Sequence, residues 1–512
     1  MHTDGIDTLP AALAAAAARF GDACAVVDGE QRLSFLALEE AVRAAAGALA
    51  RHGIAKGDRI ALWAPNRLEW IIACLAAQCL GAIAVPLNTR LKGTEAQFIL
   101  NKTRARLLFT VRGFLGIDYP ALLDGLNLPH LERIVTFDGD WAAFVASATP
   151  ADIALATERR AALTGNDAAD IIFTSGTTGL PKGVLCDHEQ NVRAFTIWAD
   201  TVGLRAGDRY LIVNPFFHTF GYKAGWLACL IKGATIYPMA TLDVPAMAGL
   251  IAREQITVLP GPPTIYQTLL QQGVTANDIP SLRLAVTGAA AIAPALIERM
   301  HDELGIDVIL SAYGLTESTG LVTATRPGDP PVRIATTSGK AIPGVEVICV
   351  DGNGQPVGVG AEGEIWVRGF NVMRGYFEDP AATAEAIDAN GWLHTGDVGR
   401  LDADGYLQIT DRLKDMYISG GFNCYPAEIE RLMAVHPAVA QVAIIGVPCE
   451  RMGEVGKAFV VRRPGMQLDA DTLITWCRAQ MANYKVPRHI AFMDSLPLNA
   501  AGKVQKFSLK DR

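Results

Sequence analysis

The sequence predicts an α/β protein: a large N-terminal body of parallel-rich sheets with helices plus a small β unit, followed by a mobile α/β C-terminal lid. Three observations predict it. Short apolar, β-branched runs alternate with helical patterns through about the first 320 residues, the pattern of parallel strands covered by helices. Beyond about residue 335, glycine and proline become frequent and the runs alternate with period two, which marks a largely antiparallel unit. After the charged segment Asp411-Arg412-Leu413-Lys414-Asp415 comes one more α/β stretch, long enough to fold by itself. The expected division is a body over 1–410, a hinge at 411–415 and a lid over 416–512.

Taken in order, the alanine-rich stretch 11–18 follows Asp4 and Asp7, where a signal peptide would carry Lys or Arg. A strand is expected over 59–63. The long apolar run from Trp70 to Leu87 is broken by Gln78, Gly81 and Pro86, so it reads as a buried helix followed by a core strand over 82–86, not a membrane span. Residues 141–170, rich in Ala, Thr and Asp, read as a surface crossing between subdomains. Further strands are expected over 171–174, 210–213, 257–259 and 282–286, with helices over 246–254 and 294–304. The alternating runs 345–350 and 363–368 form the small β unit.

Of the 512 residues, 50% are hydrophobic and 19% charged, which excludes a mainly disordered chain. A formal charge of −8 argues against a general nucleic-acid binder, whose affinity needs a basic footprint. Nine scattered cysteines with no C-x-x-C pair point to reduced thiols used as small apolar residues, and so to the cytoplasm. Nothing in the chain fixes an oligomeric state, and a homodimer is compatible with it.

The strongest motif is Thr174-Ser175-Gly176-Thr177-Thr178-Gly179-Leu180-Pro181-Lys182-Gly183, directly after the strand-like 171–173. Its glycines allow backbone N–H groups to turn toward a polyphosphate, its hydroxyls add donors, and Lys182 adds a point charge. The Walker spacing is absent. This loop resembles the phosphate loop of the adenylate-forming enzymes: acyl-CoA synthetases, firefly-type luciferases and peptide-synthetase adenylation domains. Tyr313-Gly314-Leu315-Thr316-Glu317, Thr395-Gly396-Asp397, the 411–415 segment, Ser419-Gly420-Gly421-Phe422-Asn423 and Gly502-Lys503 recur in that superfamily's order.

The resemblance implies ATP, Mg²⁺ and CoA as cosubstrates and metal, a small-molecule carboxylic acid, and no nucleic acid or membrane span. It makes Lys503 the lysine at the reacting carboxylate and α-phosphate; Asn499 stands where many members carry Thr. Glu317, with Thr178, would serve Mg²⁺. Thr316 would donate to the α-phosphate, Tyr313 would lie on the adenine, and Gly288-Ala289-Ala290 would wall it. Asp397 and Arg412 would take the ribose. Lys414 is the hinge position, and Ser419, Gly420 and Gly421 would line the CoA tunnel.

In Asn214-Pro215-Phe216-Phe217-His218-Thr219-Phe220-Gly221-Tyr222-Lys223-Ala224-Gly225, the residue similar to the family's carboxylate-side histidine is His218. The acyl pocket is expected to draw on His218, Gly221, Tyr222, Lys223, Gly225 and Gly314. Gly221, Ala224, Gly225 and Ala228 fall at i, i+3, i+4 and i+7, stripping one helix face of bulk for a close neighbour or a wide substrate. Lys223, one residue off that stripe, is expected to reach solvent, or else to cap a polar group on the substrate. These segments are most similar to the actinobacterial steroid-catabolism ligases for the bicyclic propanoate left from rings C and D. Alternatives are a medium- or long-chain fatty acid–CoA ligase, a carrier-loading adenylation module, and a nucleotide-binding regulatory protein on the same scaffold. A carrier-loading module would be expected to have a carrier segment after Lys503, which is not the expectation here, and a regulator would be expected to lack Lys503 or Glu317.

Overall fold

The computed structural model describes residues 5–175, 180–288, 294–412, 417–424, 426–497 and 506–509. It divides into two compact units, one of residues 1–89, 97–172 and 183–410, the other of 411–512 with the short segments 90–96 and 173–182.

The first unit holds the parallel-rich sheets. In a nine-stranded sheet, Val308–Tyr313, Leu284–Gly288, Val258–Pro260, Arg209–Ile212, Thr235–Pro238 and Cys24–Asp28 run parallel. Antiparallel strands close both its edges, Gln31–Ser34 on one side and Thr323–Ala324 with Lys340–Ala341 on the other. A seven-stranded sheet is ordered Gly375–Tyr376, Pro181–Asp187, Ala168–Ser175, Ile83–Pro86, Arg59–Trp63, Leu107–Thr110 and Arg133–Thr136, the last five parallel. The change of texture after residue 335 is a four-stranded sheet, antiparallel across Val345–Val350, Gly363–Gly369 and Leu393–Leu401.

The apolar run from Trp70 divides as its sequence implies. Leu68–Cys79 is a helix with every residue buried, and Ile83–Pro86 is a fully buried strand. A helix hydrophobic all round belongs to a core. Among the described residues no helix is long and apolar enough to cross a membrane.

Residues 141–170 are not a simple crossing. They contain the helices Trp141–Ala146 and Pro150–Ala161 before the strand Ala168–Ser175 begins. Thr149 and Asp152 form a reciprocal cap on the second helix, with Pro150 at its first position. That helix lies so close to Phe35–Arg51 that a Cβ on Gly47 would sit 2.6 Å from Ile153 Cγ1.

The second unit has its own core beneath one sheet. Phe422–Cys424, Tyr417–Ser419, Gly453–Arg462 and Val439–Cys449 are antiparallel neighbours, and His489–Met493 adds a parallel edge. Ile429 and Met433 from the helix Pro426–Met433, and Leu473 and Cys477 from the helix Ala470–Gln480, are fully buried in that core.

Candidate active site

The candidate nucleotide residues sit where strands end. Thr174 and Ser175 finish the strand Ala168–Ser175, and Lys182 is the second residue of its neighbour Pro181–Asp187. Gly288 ends the strand Leu284–Gly288. Gly176, Thr177, Thr178, Gly179, Ala289, Ala290, Lys414 and Lys503 lie outside the described residues.

Tyr313 ends its strand, and the chain makes one tight turn, Thr316–Ser318, before returning as Thr323–Ala324. The turn is closed by the Val322 N–H donating to the Tyr313 carbonyl at 2.8 Å and the Gly320 N–H to the Leu315 carbonyl at 2.8 Å. A Cβ on Gly314 would stand 2.3 Å from the Gly320 carbonyl oxygen, so only glycine fits. Buried Ser318 accepts from the Leu315 N–H at 2.9 Å and stiffens the same turn.

Two hydrogen bonds then tie this turn to distant segments. The Tyr313 hydroxyl donates to Asp397 Oδ2 at 2.7 Å. Asp397 is itself seated by its N–H donating to Thr395 Oγ1 at 3.1 Å, while Thr395 donates to the Ile365 carbonyl at 2.6 Å. The Tyr376 hydroxyl donates to Glu317 Oε1 at 3.0 Å, and Tyr376 pairs in register with Val184, two residues beyond Lys182. The structure therefore brings Tyr313 to Asp397, and Glu317 to the sheet that carries Lys182.

His218 is solvent-accessible and caps the helical turn Thr219–Gly221, where its Nδ1 accepts from the Phe220 N–H at 3.4 Å. With Nδ1 as acceptor, the neutral ring carries its proton on Nε2. Although the side chain opens to solvent, the protein packed around it disfavours the charged ring and lowers its pKa below the ordinary histidine value. The loop before it is clamped by buried Asn66. Its Oδ1 accepts from the Phe216 N–H at 2.7 Å, and its Nδ2 donates to the carbonyls of Asn214 at 2.9 Å and Ile212 at 3.2 Å.

In the second unit, Gly420 and Gly421 form the two-residue turn between Tyr417–Ser419 and Phe422–Cys424, with φ of 58° and 83°. Positive φ at both centres is the hairpin turn that selects glycine. Arg412 ends the strand Leu407–Arg412.

Residues 13–377 match the AMP-binding enzyme family and residues 428–503 its C-terminal domain. The chain belongs to the AMP-binding enzyme family. It is similar to the (7a-methyl-1,5-dioxo-octahydro-1H-inden-4-yl)propanoyl:CoA ligase of Rhodococcus jostii RHA1, 49% identical with 99% of each chain covered. The ligase of the same name from Mycobacterium tuberculosis H37Rv is also 49% identical, with 98% of each covered. Among solved structures, Bacillus subtilis o-succinylbenzoate CoA synthetase bound to a product analogue superimposes with a TM-score of 0.85 at 30% identity, over 98% of both chains. This AMP-binding enzyme is an acyl-CoA synthetase, a ligase.

The segment after His218 departs from its expected form. Tyr222–Leu227 is a π-helix, not an α-helix, so the i, i+3, i+4, i+7 stripe is not one straight face. Its small residues answer to backbone and strand instead. A Cβ on Gly221 would lie 2.2 Å from the Asn214 carbonyl oxygen, and one on Gly225 would lie 3.1 Å from Ile212 Cδ1.

Lys223 neither reaches solvent nor is open to a substrate. It is fully buried, with Nζ 3.0 Å from Asp170 Oδ1. Tyr222 is buried too; its ring stacks on Trp226 at 4.8 Å and its hydroxyl accepts from Gln78 at 2.8 Å. These two side chains of the expected acyl pocket are committed to the interior.

Sequence reasoning missed Asn66, Tyr376 and Asp170. Asn66 follows Ala64-Pro65 after the strand Arg59–Trp63, and with Arg67 and Glu69 close by nothing local marks it out. Tyr376 lies in a two-residue strand, too short for periodicity to reveal. Asp170 interrupts the apolar strand Ala168–Ser175, and only its partner explains it.

Proposed function

We propose that this protein is an ATP-dependent carboxylic acid–CoA ligase acting through an acyl-adenylate on a bicyclic, steroid-derived propanoate. The observation that carries the substrate is the 49% identity, end to end, with two ligases named for that propanoyl group. In the first step the carboxylate oxygen bonds to the α-phosphorus of ATP as the bond to pyrophosphate breaks. In the second, the CoA thiol loses its proton to solvent, its sulfur bonds to the acyl carbon, and the acyl–oxygen bond to AMP breaks.

The residues fit those steps. Neutral His218, with its proton on Nε2, offers a donor that can orient a carboxylate without neutralising it. Asp397, fixed by Tyr313, offers acceptor oxygens suited to ribose hydroxyls. Thr316 and Lys182 are assigned to the phosphates. Glu317, a hard oxygen donor held by Tyr376, fits Mg²⁺, which takes one or two carboxylates and completes its shell with phosphates and water. Bound there, the ion would offset charge on the phosphates; Thr178 is its second assigned ligand. Arg412 on the ribose, Lys414 in a hinge at 411–415, Ser419, Gly420 and Gly421 along CoA, and Lys503 at the α-phosphate rest on family resemblance. The boundary between the two units at 410/411 supports that hinge. All nine cysteines are free thiols, the state a reducing cytoplasm maintains.

The test is AMP release with ATP, Mg²⁺ and CoA across a panel of acids. The bicyclic propanoate should exceed octanoate and palmitate in kcat/KM by about tenfold or more. Equal or better turnover of a linear acid would overturn the substrate.

A further inference from the structure

The buried end of the π-helix is tied twice to the strand that enters the phosphate loop. Lys223 meets Asp170 at 3.0 Å, and both side chains are wholly buried. Asp170 Oδ2 also accepts from Asn191 Nδ2 at 2.7 Å. One residue earlier on each element, Gln78 Nε2 donates both to the Tyr222 hydroxyl at 2.8 Å and to the Ala169 carbonyl at 3.1 Å. Adjacent residues of the helix thus grip adjacent residues of the strand, one pair by charge and the other through a buried amide.

Neither feature is explained by stability. A buried ion pair seldom beats apolar side chains of similar size, because desolvation offsets the attraction. A π-turn is rare and concentrates at functional sites. Burial alone would lower the lysine's pKa, but Asp170 and Cys186 outweigh it, and the net direction is up. Lys223 is therefore held charged in the interior, 3.0 Å from the Asp170 carboxylate. His218 lies four residues before Tyr222, at the head of the turn that runs into this π-helix.

We propose that Lys223 and Asp170, with Tyr222 and Gln78, are positioning residues that lock the His218 helix to the strand Ala168–Ser175 and so set the geometry for acyl-adenylate formation. The proposal rests on the adenylating function given above. It assigns Lys223 no contact with the acid.

The experiment uses the full-length enzyme with Lys223→Met and Asp170→Asn combined, which removes both charges and keeps an acceptor for Asn191. The melting temperature should stay within a few degrees of wild type. ATP–pyrophosphate exchange should lose about tenfold or more in kcat, since small misplacements of reacting groups are costly, while KM for ATP changes less than about twofold. Conversion of synthetic acyl-adenylate and CoA to thioester should change by less than about threefold. The keto-acid and its deoxy analogue should lose the same factor.

Exchange within about twofold of wild type overturns the proposal, as does an equal loss in both half-reactions. If the double variant does not fold, Tyr222→Phe, which keeps the ring and deletes only the hydroxyl, decides. It should lose about threefold or more in exchange kcat with an unshifted melt, and an unchanged rate overturns the proposal. A wild-type enzyme that forms no adenylate with any acid would instead refute the function on which the proposal stands.

Discussion

At the scale of single residues, polar groups of the candidate site are held in place by contacts within the protein. Tyr313 and Asp397 lie far apart in sequence yet meet at 2.7 Å. Tyr313→Phe keeps the ring and frees the carboxylate, so KM for ATP should rise about tenfold, as for a lost hydrogen bond to a charged group. Substrate kinetics at saturating acid would measure it. His218 gives a pH prediction. Its folded pKa is below the ordinary 6.5, so the neutral ring persists as pH falls through that value. The acidic limb of kcat/KM for the acid should therefore lie below pH 6.5 and vanish in His218→Ala. Gly314→Ala should lose activity and stability together, because its Cβ meets backbone that cannot swing away.

At the scale of elements, buried His188 opens the helix His188–Val202 and accepts from the Leu9 N–H at 3.3 Å, tying it to the first helix, Leu9–Phe20. Burial depresses its pKa from 6.5 to about 4. The unfolded chain takes up a proton below pH 6.5 while the folded one refuses it until about pH 4, so stability is lost as pH falls across that window. The loss should total about 3 kcal/mol. Neighbouring Asp187, raised to about 6 chiefly by burial, acts in the opposite sense, so the difference between wild type and His188→Gln in denaturant melts isolates the histidine.

Elements were unequally legible from the sequence. Strands such as Arg59–Trp63 and Val345–Val350 stand out because parallel and antiparallel strands carry apolar or alternating runs bounded by turns. The π-helix was not legible: Gly221 packs on the Asn214 carbonyl and Lys223 pairs with an aspartate 53 residues away, contacts that leave no periodic signal. For the same reason Lys223 read as a surface lysine. The helices at 141–161 were obscured by composition, although the Thr149–Asp152 cap was present to be read.

At the scale of the whole molecule, the motifs assigned to the candidate site stand out in the sequence where glycine or a charged group sits at a strand end. Contacts that hold them, Asn66 on the His218 loop and Tyr376 on Glu317, join segments 150 and 59 residues apart and leave no local pattern. A whole-chain prediction concerns Lys503. Lys503→Ala should lower ATP–pyrophosphate exchange by about 10²–10³ while preformed acyl-adenylate still reacts with CoA, readable in two separate half-reaction assays. A last consequence follows from the edge of the nine-stranded sheet. Val26 pairs with Ile236, about 210 positions downstream. During synthesis at roughly 5–20 residues per second, the N-terminal hairpin must wait some ten seconds or longer outside the ribosome for its neighbour to emerge. Chaperone protection of that nascent segment is the expected cost of building the sheet out of sequence order, and truncated chains ending before residue 235 should aggregate through it.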